Sequence, residues 1–343
     1  MKSILFCENP YAFSILAPIR NELKEKGFEV LWYISEKLRN EFPFPKENNT
    51  SSITVLKAYK SDAIFVPGNE VPYFLRGVKI QVFHGLAGEK KGHFKIRHYF
   101  DLYLTQGPYF TDKFIELSEK YKNFEVIETG WSKLDVYYDN GIEFSKYKDR
   151  SLAKHKAKNI LLYAPTFSPS LTSAPFLKTE FEQIALNKNN LILIKFHDLM
   201  QKELINDYKK IAKKHENIVF VEERNISKYL LIADLLISDT SSVVYEFLLL
   251  NKPVITLNTR TPQSVWDNIN SSELLAKRVQ YNLDNDPFEL QRAKIIADYH
   301  PYQDGKSSLR MIKAVEDFII KNGIPEKRKL PIFRRYKINK MYK

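Results

Sequence analysis

Short apolar runs alternate with amphipathic segments along the whole chain of 343 residues. The runs are rich in Ile, Val, Leu, Phe and Tyr, and turn residues bound many of them, which is typical of parallel strands buried on both faces. We therefore predict strands at residues 3–7, 29–34, 62–66, 79–83, 102–105, 124–128, 159–163, 191–196, 218–221, 235–238 and 253–257.

The segments between these runs have helical periodicity. Ile15, Ile19 and Leu23 recur every four residues, and Gly27 follows them at the position of a helix C-cap. Strands and helices alternate in this way over the whole length, which predicts an α/β fold with parallel sheets.

One segment interrupts the alternation. Residues 139–158 are polar and rich in Lys, Asp and Ser, and a new apolar run follows them. We predict a domain boundary there, between two Rossmann-like domains at 1–150 and 151–325 whose parallel sheets face a central cleft. Residues 326–343 follow as a separate tail.

Charge distinguishes this tail from the body of the chain. The formal net charge is +12, and the last 18 residues contain eight Lys or Arg residues and one Glu. Such a tail suggests a polyanionic partner, either nucleic acid or an anionic membrane surface. Leu330, Phe333 and Tyr336 lie among the cations, which favours the membrane surface. A solvated, disordered tail is the alternative.

Composition excludes several classes of protein. The single cysteine, Cys7, rules out a disulfide scaffold and a Cys-based zinc cluster, and it suits a reducing cytosol. The apolar content of 44% argues against disorder. The N-terminus lacks the long apolar region of a signal peptide, and no stretch approaches 18 apolar residues, so we predict no membrane span.

Polar residues that directly follow predicted strands are the candidates for chemistry, because ligands bind beyond the carboxyl ends of parallel strands. His84 and Gly85 follow the strand at 79–83. A His at this position is a candidate general base, since its pKa lies near working pH. Lys90 and Lys91 add positive charge for contact with an acceptor or a phosphate. A His held by local hydrogen bonds beside a loop is an equal alternative.

Two strand ends in the second half also carry polar side chains. Thr166 lies in a proline-stiffened loop, for which a rigid turn is the favoured interpretation when the segment is considered alone. Lys195 and His197 lie at the end of a nearly pure apolar run, where a cation could hold a diphosphate. A structural contact between His197 and Asp198 is the competing interpretation.

The sharpest candidate follows the predicted strand at 235–238. Asp239 ends the strand, Ser241 and Ser242 open a helix, and Glu246 lies one turn in. The free N–H groups and the dipole of a helix start favour phosphate, and the hydroxyls supply further donors. Ordinary helix capping is the alternative.

Motifs for nucleotide loops and metals are absent from the sequence. No Gly-rich phosphate-binding fingerprint and no H-E-x-x-H zinc motif occurs. The D-x-D spacing at 284–286 precedes a proline and is interpreted as a turn. We therefore expect no metal and no cofactor.

Six segments occur in a characteristic order: HGLAGEKKG (84–92), TGWSKLD (129–135), YAPTF (163–167), KFH (195–197), SDTSSVVYEFLLLNKPVI (238–255) and PYQDGKSS (301–308). In this order they resemble the CDP-glycerol glycerophosphotransferase family, whose members make teichoic-acid and capsule polymers. The resemblance covers about residues 81–308, and the part before it matches only in its Rossmann character.

The resemblance implies a GT-B fold, with the acceptor-side domain at 1–150 and the donor domain at 151–325. It implies that His84 is the catalytic base and that His197 acts with it by contacting the donor diphosphate. The other residues assigned to the donor site are Gly85, Thr166, Lys195, Asp239, Ser241, Ser242, Glu246, Asp304 and Gly305.

The activity implied by the resemblance is the transfer of a polyol phosphate, first of all glycerol 3-phosphate. The donor is CDP-glycerol or CDP-ribitol, the acceptor is a hydroxyl of a lipid-linked saccharide or polymer, and CMP is released without a metal. The chain length resembles the shorter, primase-type members. The expected location is the cytoplasm, peripheral on the inner face of the cell membrane.

Two other classes of function stay open. A GT-B glycosyltransferase or epimerase that uses a UDP-sugar would share the fold and the phosphate site. A nucleic-acid-binding protein is suggested by charge alone, but the chain has no recognisable recognition module, so we expect no nucleic-acid partner.

Overall fold

The computed structural model describes residues 1–86, 92–139, 141–223, 225–259 and 265–342. The chain divides into two compact units. Unit 1 contains Met1–Asp139 and Asp298–Lys343, and unit 2 contains Asn140–Ala297.

Thirteen strands in the described part of the chain form two sheets, one in each unit. The strands are β1 Lys2–Cys7, β2 Glu29–Ile34, β3 Asn49–Thr50, β4 Ala63–Val66, β5 Val78–Gln81, β6 Leu102–Thr105, β7 Glu125–Glu128, β8 Asn159–Tyr163, β9 Asn190–Ile194, β10 Ile218–Phe220, β11 Leu235–Ser238, β12 Val254–Leu257 and β13 Asp267–Ile269. The sheet of unit 1 has the order β3-β2-β1-β4-β5-β6-β7, and that of unit 2 has the order β10-β9-β8-β11-β12-β13. Neighbouring strands run parallel throughout.

Helices connect most of these strands. Over the same described residues they are α1 Ala12–Glu25, α2 Ile53–Tyr59, α3 Pro108–Tyr121, α4 Val136–Asp139, α5 Gly141–His155, α6 Lys178–Ile184, α7 Lys202–Lys214, α8 Ser227–Ile232, α9 Val243–Leu248, α10 Leu275–Asn285, α11 Glu289–Tyr299, α12 Ser307–Asn322 and α13 Ile332–Met341. The apolar stripe of α1 is buried, as its spacing predicts.

The strand order reverses once in each sheet, and this reversal sets where ligands can bind. In unit 1 the reversal lies between β1 and β4, and in unit 2 it lies between β8 and β11. Helices leave the two flanking strands toward opposite faces of the sheet, so a crevice opens at the carboxyl ends of the strands. Both units therefore have the site-forming geometry of a doubly wound sheet.

The eleven predicted strands are confirmed to within two residues at either end. The prediction missed β3 and β13, which lie at sheet edges. These strands are two and three residues long and begin with polar residues, so they carry no apolar run that a sequence pattern could show.

The predicted domain limits differ from the structure in two ways. The first unit ends at Asp139 rather than at residue 150, because the polar segment after it forms α5 of unit 2. Residues 298–325, predicted to lie in the second domain, return to unit 1. The physical reason is a set of side-chain contacts that connect residues about 170 positions apart.

A buried carboxylate makes most of this connection. Asp135 accepts hydrogen bonds from the backbone N–H groups of Ser307 and Ser308, at 2.9 and 2.7 Å, and from the Ser308 hydroxyl at 2.7 Å. Nearby, the Trp131 N–H donates to Nε2 of the buried His300 at 3.0 Å. The start of α12 is thereby held against unit 1.

Residues 326–342 of the basic segment pack as part of unit 1. It forms α13, and the side chains of Leu330, Ile338 and Tyr342 belong to the apolar core of that unit. The prediction of a separate tail is therefore wrong for these residues. The opposite face of α13 stays in solvent, with Phe333 at 89% and Tyr336 at 71% exposure.

Arg328 anchors this segment. Its guanidinium is buried, pairs with the Asp101 carboxylate, and donates to the backbone carbonyls of His98 at 2.7 Å and Asn123 at 2.6 Å. Removing the Arg328 side chain would leave the Asp101 carboxylate unpaired and the two carbonyls without their donor. Breaking a buried ion pair in this way is far more costly than losing a surface pair.

We expect Arg328→Ala to lower the free energy of unfolding of unit 1 by about 3–5 kcal/mol. Lys327→Ala removes the same charge from an exposed neighbour and should change the free energy of unfolding by less than about 0.5 kcal/mol. Urea unfolding followed by near-UV circular dichroism measures both variants. Equal stability of the two variants would contradict the anchoring role.

Candidate active site

The sheet of unit 2 brings most of the predicted site residues to one edge. β9, β8, β11 and β12 are neighbours and parallel, so the residues that follow them share the carboxyl edge. Thr166 follows β8, His197 follows β9, and Asp239 follows β11. The first and last of these lie at the reversal of strand order, where a doubly wound sheet binds its ligand.

Asp239 organises the loop after β8. One carboxylate oxygen accepts the Thr166 N–H at 2.8 Å, and the other accepts the Ser173 N–H at 2.7 Å and the Ser173 hydroxyl at 2.9 Å. The side chain is buried, which raises its pKa, and these three donors oppose the increase. Asp239 therefore positions the loop that carries Thr166, because both of its oxygens already accept hydrogen bonds from that loop.

The segment after Asp239 leads into a short, fully buried helix. α9 has six residues and begins at Val243, with Ser241 and Ser242 half-buried just before it. The Ser241 N–H donates back to the Asp239 carbonyl at 2.8 Å. Glu246 lies within α9 and is 7% exposed, so the structure places it inside unit 2 rather than on an open surface.

His197 is held in a single tautomer. The Leu199 N–H donates to its Nδ1 at 3.1 Å, so Nδ1 must carry the lone pair and Nε2 must carry the proton. The Phe167 ring packs on the imidazole, with the ring centroids 4.5 Å apart. Partial desolvation lowers the pKa of His197, Lys195 adds to the decrease, and Asp198 opposes it. The neutral ring can therefore donate a hydrogen bond through Nε2–H.

Lys195 is a buried cation just before His197. Its ammonium donates to the Phe196 carbonyl at 2.7 Å, and only 7% of the residue is exposed. It contributes positive potential to this edge of unit 2 from within the protein, rather than as a flexible surface cation.

His84 follows β5 in unit 1 and is exposed. Its Nδ1 lies 2.9 Å from the Pro67 carbonyl oxygen, which can only accept, so Nδ1 carries a proton and, in the neutral ring, Nε2 carries the lone pair. The ring stacks on Tyr11 with centroids 5.1 Å apart. Phe83, just before it, has a φ of +58°, a left-handed conformation that directs the chain away from the strand.

Of the other site residues predicted near His84, the structure describes only Gly85. The Gly85 carbonyl accepts a hydrogen bond from the Gln106 side chain at 3.1 Å, which holds the backbone after His84. Lys90 and Lys91 lie outside the described residues. Their predicted contact with an acceptor or a phosphate stays a prediction.

Asp304 and Gly305 belong to unit 1, as Gly85 does, and not to unit 2, which carries the other predicted donor residues. Asp304 pairs with Arg310 at 2.7 Å, and this pairing holds its pKa below the ordinary value. Gly305 has a φ of +65°, which favours glycine at the turn before α12. The structure thus places both residues in the turn before α12, within unit 1.

The described residues contain neither a candidate metal cluster nor a candidate membrane span. No group of three or more His, Cys, Asp or Glu side chains there could hold a metal ion. The D-x-D segment ends α10 rather than forming an isolated turn, and Asp286 pairs with the buried Arg292. No helix in the described ranges is long and apolar enough to cross a bilayer.

Sequence reasoning missed the residues that orient the two histidines. Tyr11, Pro67 and Phe167 contact the imidazoles, and Ser173 completes the Asp239 contacts. Phe167 lies in the recognised YAPTF segment, so this segment could have indicated that Phe167 belongs to the site. Tyr11 and Pro67 lie before the recognised segments, and their contact with His84 depends on the pairing of β1, β4 and β5.

Comparison with known proteins identifies the family. The model of the CDP-glycerol:poly(glycerophosphate) glycerophosphotransferase family matches residues 77–317. The chain belongs to this family. The resemblance given by the six segments is therefore confirmed.

Relatives within the family include polymerases and primases. The teichoic acid ribitol-phosphate polymerase TarL of Staphylococcus aureus is 30% identical over 272 residues, covering 68% of this chain and 47% of that protein. The teichoic acid glycerol-phosphate primase of Bacillus subtilis is 28% identical over 234 residues, covering 63% and 58%. The chain spans about half the length of the curated relatives it matches.

Solved structures show the same fold at low identity. The wall teichoic acid polymerase TagF matches with a TM-score of 0.67 at 17% identity, over 93% of this chain and 89% of that one. The UDP complex of S. aureus MnaA matches with a TM-score of 0.65 at 16% identity, over 94% and 98%. The predicted α/β fold of the GT-B type, with two parallel sheets, is confirmed.

The contacts of Asp239 predict a local effect of its removal. Each hydrogen bond to a charged acceptor is worth about 1.5–3 kcal/mol. We expect Asp239→Ala to lower the hydrogen-exchange protection of the Thr166 and Ser173 amides by about 10- to 100-fold. Ser241→Ala leaves the carboxylate in place and serves as the control. Unchanged protection at both amides would show that other contacts hold the loop.

Proposed function

We propose that the protein transfers a polyol phosphate from a CDP-activated polyol to an acceptor hydroxyl and releases CMP. The observation that carries the proposal is the opposite protonation of two histidines. His84 has its lone pair at Nε2 and can accept a proton, whereas His197 has its proton at Nε2 and can donate a hydrogen bond. One nitrogen suits an acceptor hydroxyl and the other suits a phosphate oxygen.

In the proposed reaction the acceptor O–H loses its proton to His84 Nε2 while the oxygen forms a bond to the β-phosphorus of the donor. The bond from that phosphorus to the bridging oxygen breaks, and CMP leaves with the bond electrons. Such transfers depend more on positioning and on charge stabilisation than on covalent chemistry. His84 then returns its proton to solvent.

Unit 2 supplies the donor side of this proposal. The Nε2–H of His197 and the hydroxyls of Thr166, Ser241 and Ser242 are the donors assigned to the diphosphate. Lys195 adds a buried positive charge behind them. Asp239 takes part by holding the Thr166 loop, so we assign it a positioning role rather than a contact with the nucleotide.

Glycerol 3-phosphate is the first polyol phosphate to test, because the family description names CDP-glycerol, and ribitol phosphate is the second, because TarL is a ribitol-phosphate polymerase. The proposed acceptor is a hydroxyl of a lipid-linked saccharide or of a growing polymer, in teichoic acid or capsule synthesis. Primase-type transfer and independence from metal ions are part of the same proposal.

The exposed face of α13 supports peripheral binding to an anionic membrane, on the inner face of the cell membrane. Ile332, Phe333 and Tyr336 are 79%, 89% and 71% exposed, and five Lys or Arg residues lie within or just before the helix. Apolar side chains can enter the acyl boundary while the cations remain at the lipid headgroups. A lipid-linked acceptor would then be available where the protein binds.

We expect His84→Gln to lower the rate of CDP-glycerol-dependent transfer by about 10²- to 10⁴-fold, the usual contribution of a general base. Gln keeps the size of the side chain but cannot take up the proton. Release of CMP in the presence of acceptor measures turnover. Calorimetry with CDP-glycerol should give a dissociation constant close to that of the unchanged protein, because the residues assigned to the donor diphosphate lie on unit 2.

His155→Ala is the control for this variant, since that ring lies in unit 2, where it contacts the Glu216 carbonyl. Full activity of a folded His84→Gln protein would remove His84 from the mechanism. The same calorimetry with CDP-ribitol and UDP-N-acetylglucosamine tests the donor class. Tight binding of the UDP-sugar without binding of either CDP-polyol would favour the alternative, a GT-B glycosyltransferase or epimerase.

We expect Phe333→Ser to weaken binding to vesicles of phosphatidylglycerol and phosphatidylcholine by about 10- to 100-fold, because burying a Phe side chain is worth about 1.5–3 kcal/mol. Phe176→Ser is the matched control, since Phe176 is 65% exposed in unit 2. Co-sedimentation at two salt concentrations separates the apolar from the electrostatic contribution to vesicle binding. The electrostatic contribution should fall at high salt. An equal loss of vesicle binding in both variants would show that α13 does not form the membrane contact.

A further inference from the structure

The backbone that leads into His84 has an uncommon conformation. Phe83 has a φ of +58°, in the left-handed region that a bulky side chain rarely occupies. Such a conformation persists only where the surrounding structure holds it in place. The Phe83 side chain is buried, and its ring packs against those of His93, Tyr103 and Phe114, with centroids 5.6, 6.2 and 5.1 Å apart. The residue before His84 is therefore fixed by aromatic packing.

The residue after His84 is held by a different kind of contact. Gln106 directly follows β6, which is the parallel neighbour of β5, so both segments leave the sheet at the same edge. The Gln106 Nε2 donates to the Gly85 carbonyl at 3.1 Å. Since a carbonyl oxygen can only accept, the amide nitrogen must be the atom that faces Gly85. A side chain at the end of the neighbouring strand thus fixes the backbone just after His84.

The other half of the Gln106 amide is unsatisfied. Gln106 is fully buried, and its Oε1 accepts no hydrogen bond from any residue in the described part of the chain. A buried polar atom without a partner lowers stability, so native structures contain few of them. For folding alone, an apolar side chain of the same length would suit position 106 better. The glutamine therefore does more than stabilise the fold, and its one hydrogen bond goes to the segment that carries His84.

We propose that Gln106 positions His84 for the transfer reaction by holding the backbone that follows it. The proposal rests on the proposed function, because that function makes His84 the base. The imidazole is then restrained on three sides: Phe83 fixes the backbone before it, the Pro67 carbonyl holds Nδ1 at 2.9 Å, and Gln106 fixes the backbone after it. Gln106 lies outside the six recognised segments.

Loss of the Gln106 hydrogen bond would act on the reaction through the orientation of the ring. Without its donor the Gly85 carbonyl can turn toward water, because Gly85 is only half-buried, and the backbone after His84 gains freedom to rotate. The ring can then leave the Pro67 carbonyl, and a neutral imidazole can carry its proton on either nitrogen. Only the form with the lone pair at Nε2, directed at the acceptor hydroxyl, serves as the base. Small errors in the placement of a catalytic group reduce turnover strongly.

Gln106→Met separates positioning from folding. Methionine has a similar length and no N–H group in its side chain, so the variant loses the donor to Gly85 and also removes the unsatisfied oxygen. We expect kcat for CDP-glycerol-dependent transfer to fall about tenfold, and the KM for CDP-glycerol to stay within about twofold. The melting temperature should be equal or higher, because no buried oxygen is left without a partner at this position. A residue that serves only the fold would give the opposite pattern, a lower melting temperature with normal kcat.

Gln81→Met is the matched control. Gln81 ends β5 and is buried, and its Oε1 also lacks a partner among the described residues. The same substitution therefore removes the same kind of atom, but it leaves the contact between Gln106 and Gly85 in place. We expect kcat of this variant to equal that of the unchanged protein. An unchanged kcat in Gln106→Met, a similar loss in both variants, or a marked fall in the melting temperature of Gln106→Met overturns the proposal.

The ring nitrogens of His84 give a second readout that needs no substrate. Their ¹⁵N chemical shifts in histidine-labelled protein, at a pH where the ring is neutral, report which nitrogen carries the proton. We expect the unchanged protein and Gln81→Met to show the proton on Nδ1, and Gln106→Met to show a mixture of both forms. The same single form in Gln106→Met would mean that Gln106 does not hold the ring, and the proposal would then be wrong.

The two readouts together separate this proposal from the proposed function. If the unchanged protein transfers no polyol phosphate, while the ring nitrogens respond to Gln106→Met and not to Gln81→Met, then the positioning of His84 stands and the transfer reaction fails. If transfer proceeds and neither kcat nor the ring nitrogens respond to Gln106→Met, then the positioning is wrong and the proposed function stands.

Discussion

A buried carboxylate that accepts backbone N–H groups from a distant segment is the interaction on which both units depend. Asp135 holds the start of α12 in unit 1, and Asp239 holds the loop after β8 in unit 2. Asp101 does the same with the Lys79 N–H and the Arg328 side chain. An uncompensated buried charge is very costly, so each carboxylate commits its partner segment to one arrangement. The loops at the carboxyl edges are therefore positioned by the body of each unit.

Backbone groups fix the rings of the two histidines to which we assign roles in the proposed transfer. His84 and His197 each follow a parallel strand, and in each case a backbone group decides which ring nitrogen carries the proton. A carbonyl forces a proton onto Nδ1 of the first, and an N–H forces a lone pair onto Nδ1 of the second. The same side chain thus obtains opposite hydrogen-bonding capacities at Nε2 from neighbouring backbone atoms.

The sequence was sufficient for the eleven strands that form apolar runs, and it was insufficient for the two short edge strands and for the way in which distant segments meet. The runs that became β2, β6, β8 and β11 were predicted to the residue, because fully buried parallel strands are continuous apolar stretches. The return of residues 298–343 to unit 1 was missed, since it depends on Asp135 and on Arg328 reaching partners far away in the sequence. Tautomers, the stacking of Tyr11 on His84, and the role of Asp239 likewise depend on tertiary contacts.

The C-terminal segment connects the basic charge with the stability of unit 1. Arg328 is its first anchor, and Ile338 and Tyr342 bury the inner face of α13 in the core of unit 1. Because the helix is already folded against the protein, placing Phe333 and Tyr336 in a bilayer would cost little additional conformational entropy. The net charge of the segment is therefore not that of a free tail. It belongs to a fixed surface whose last residue in the core, Tyr342, also contacts Glu8.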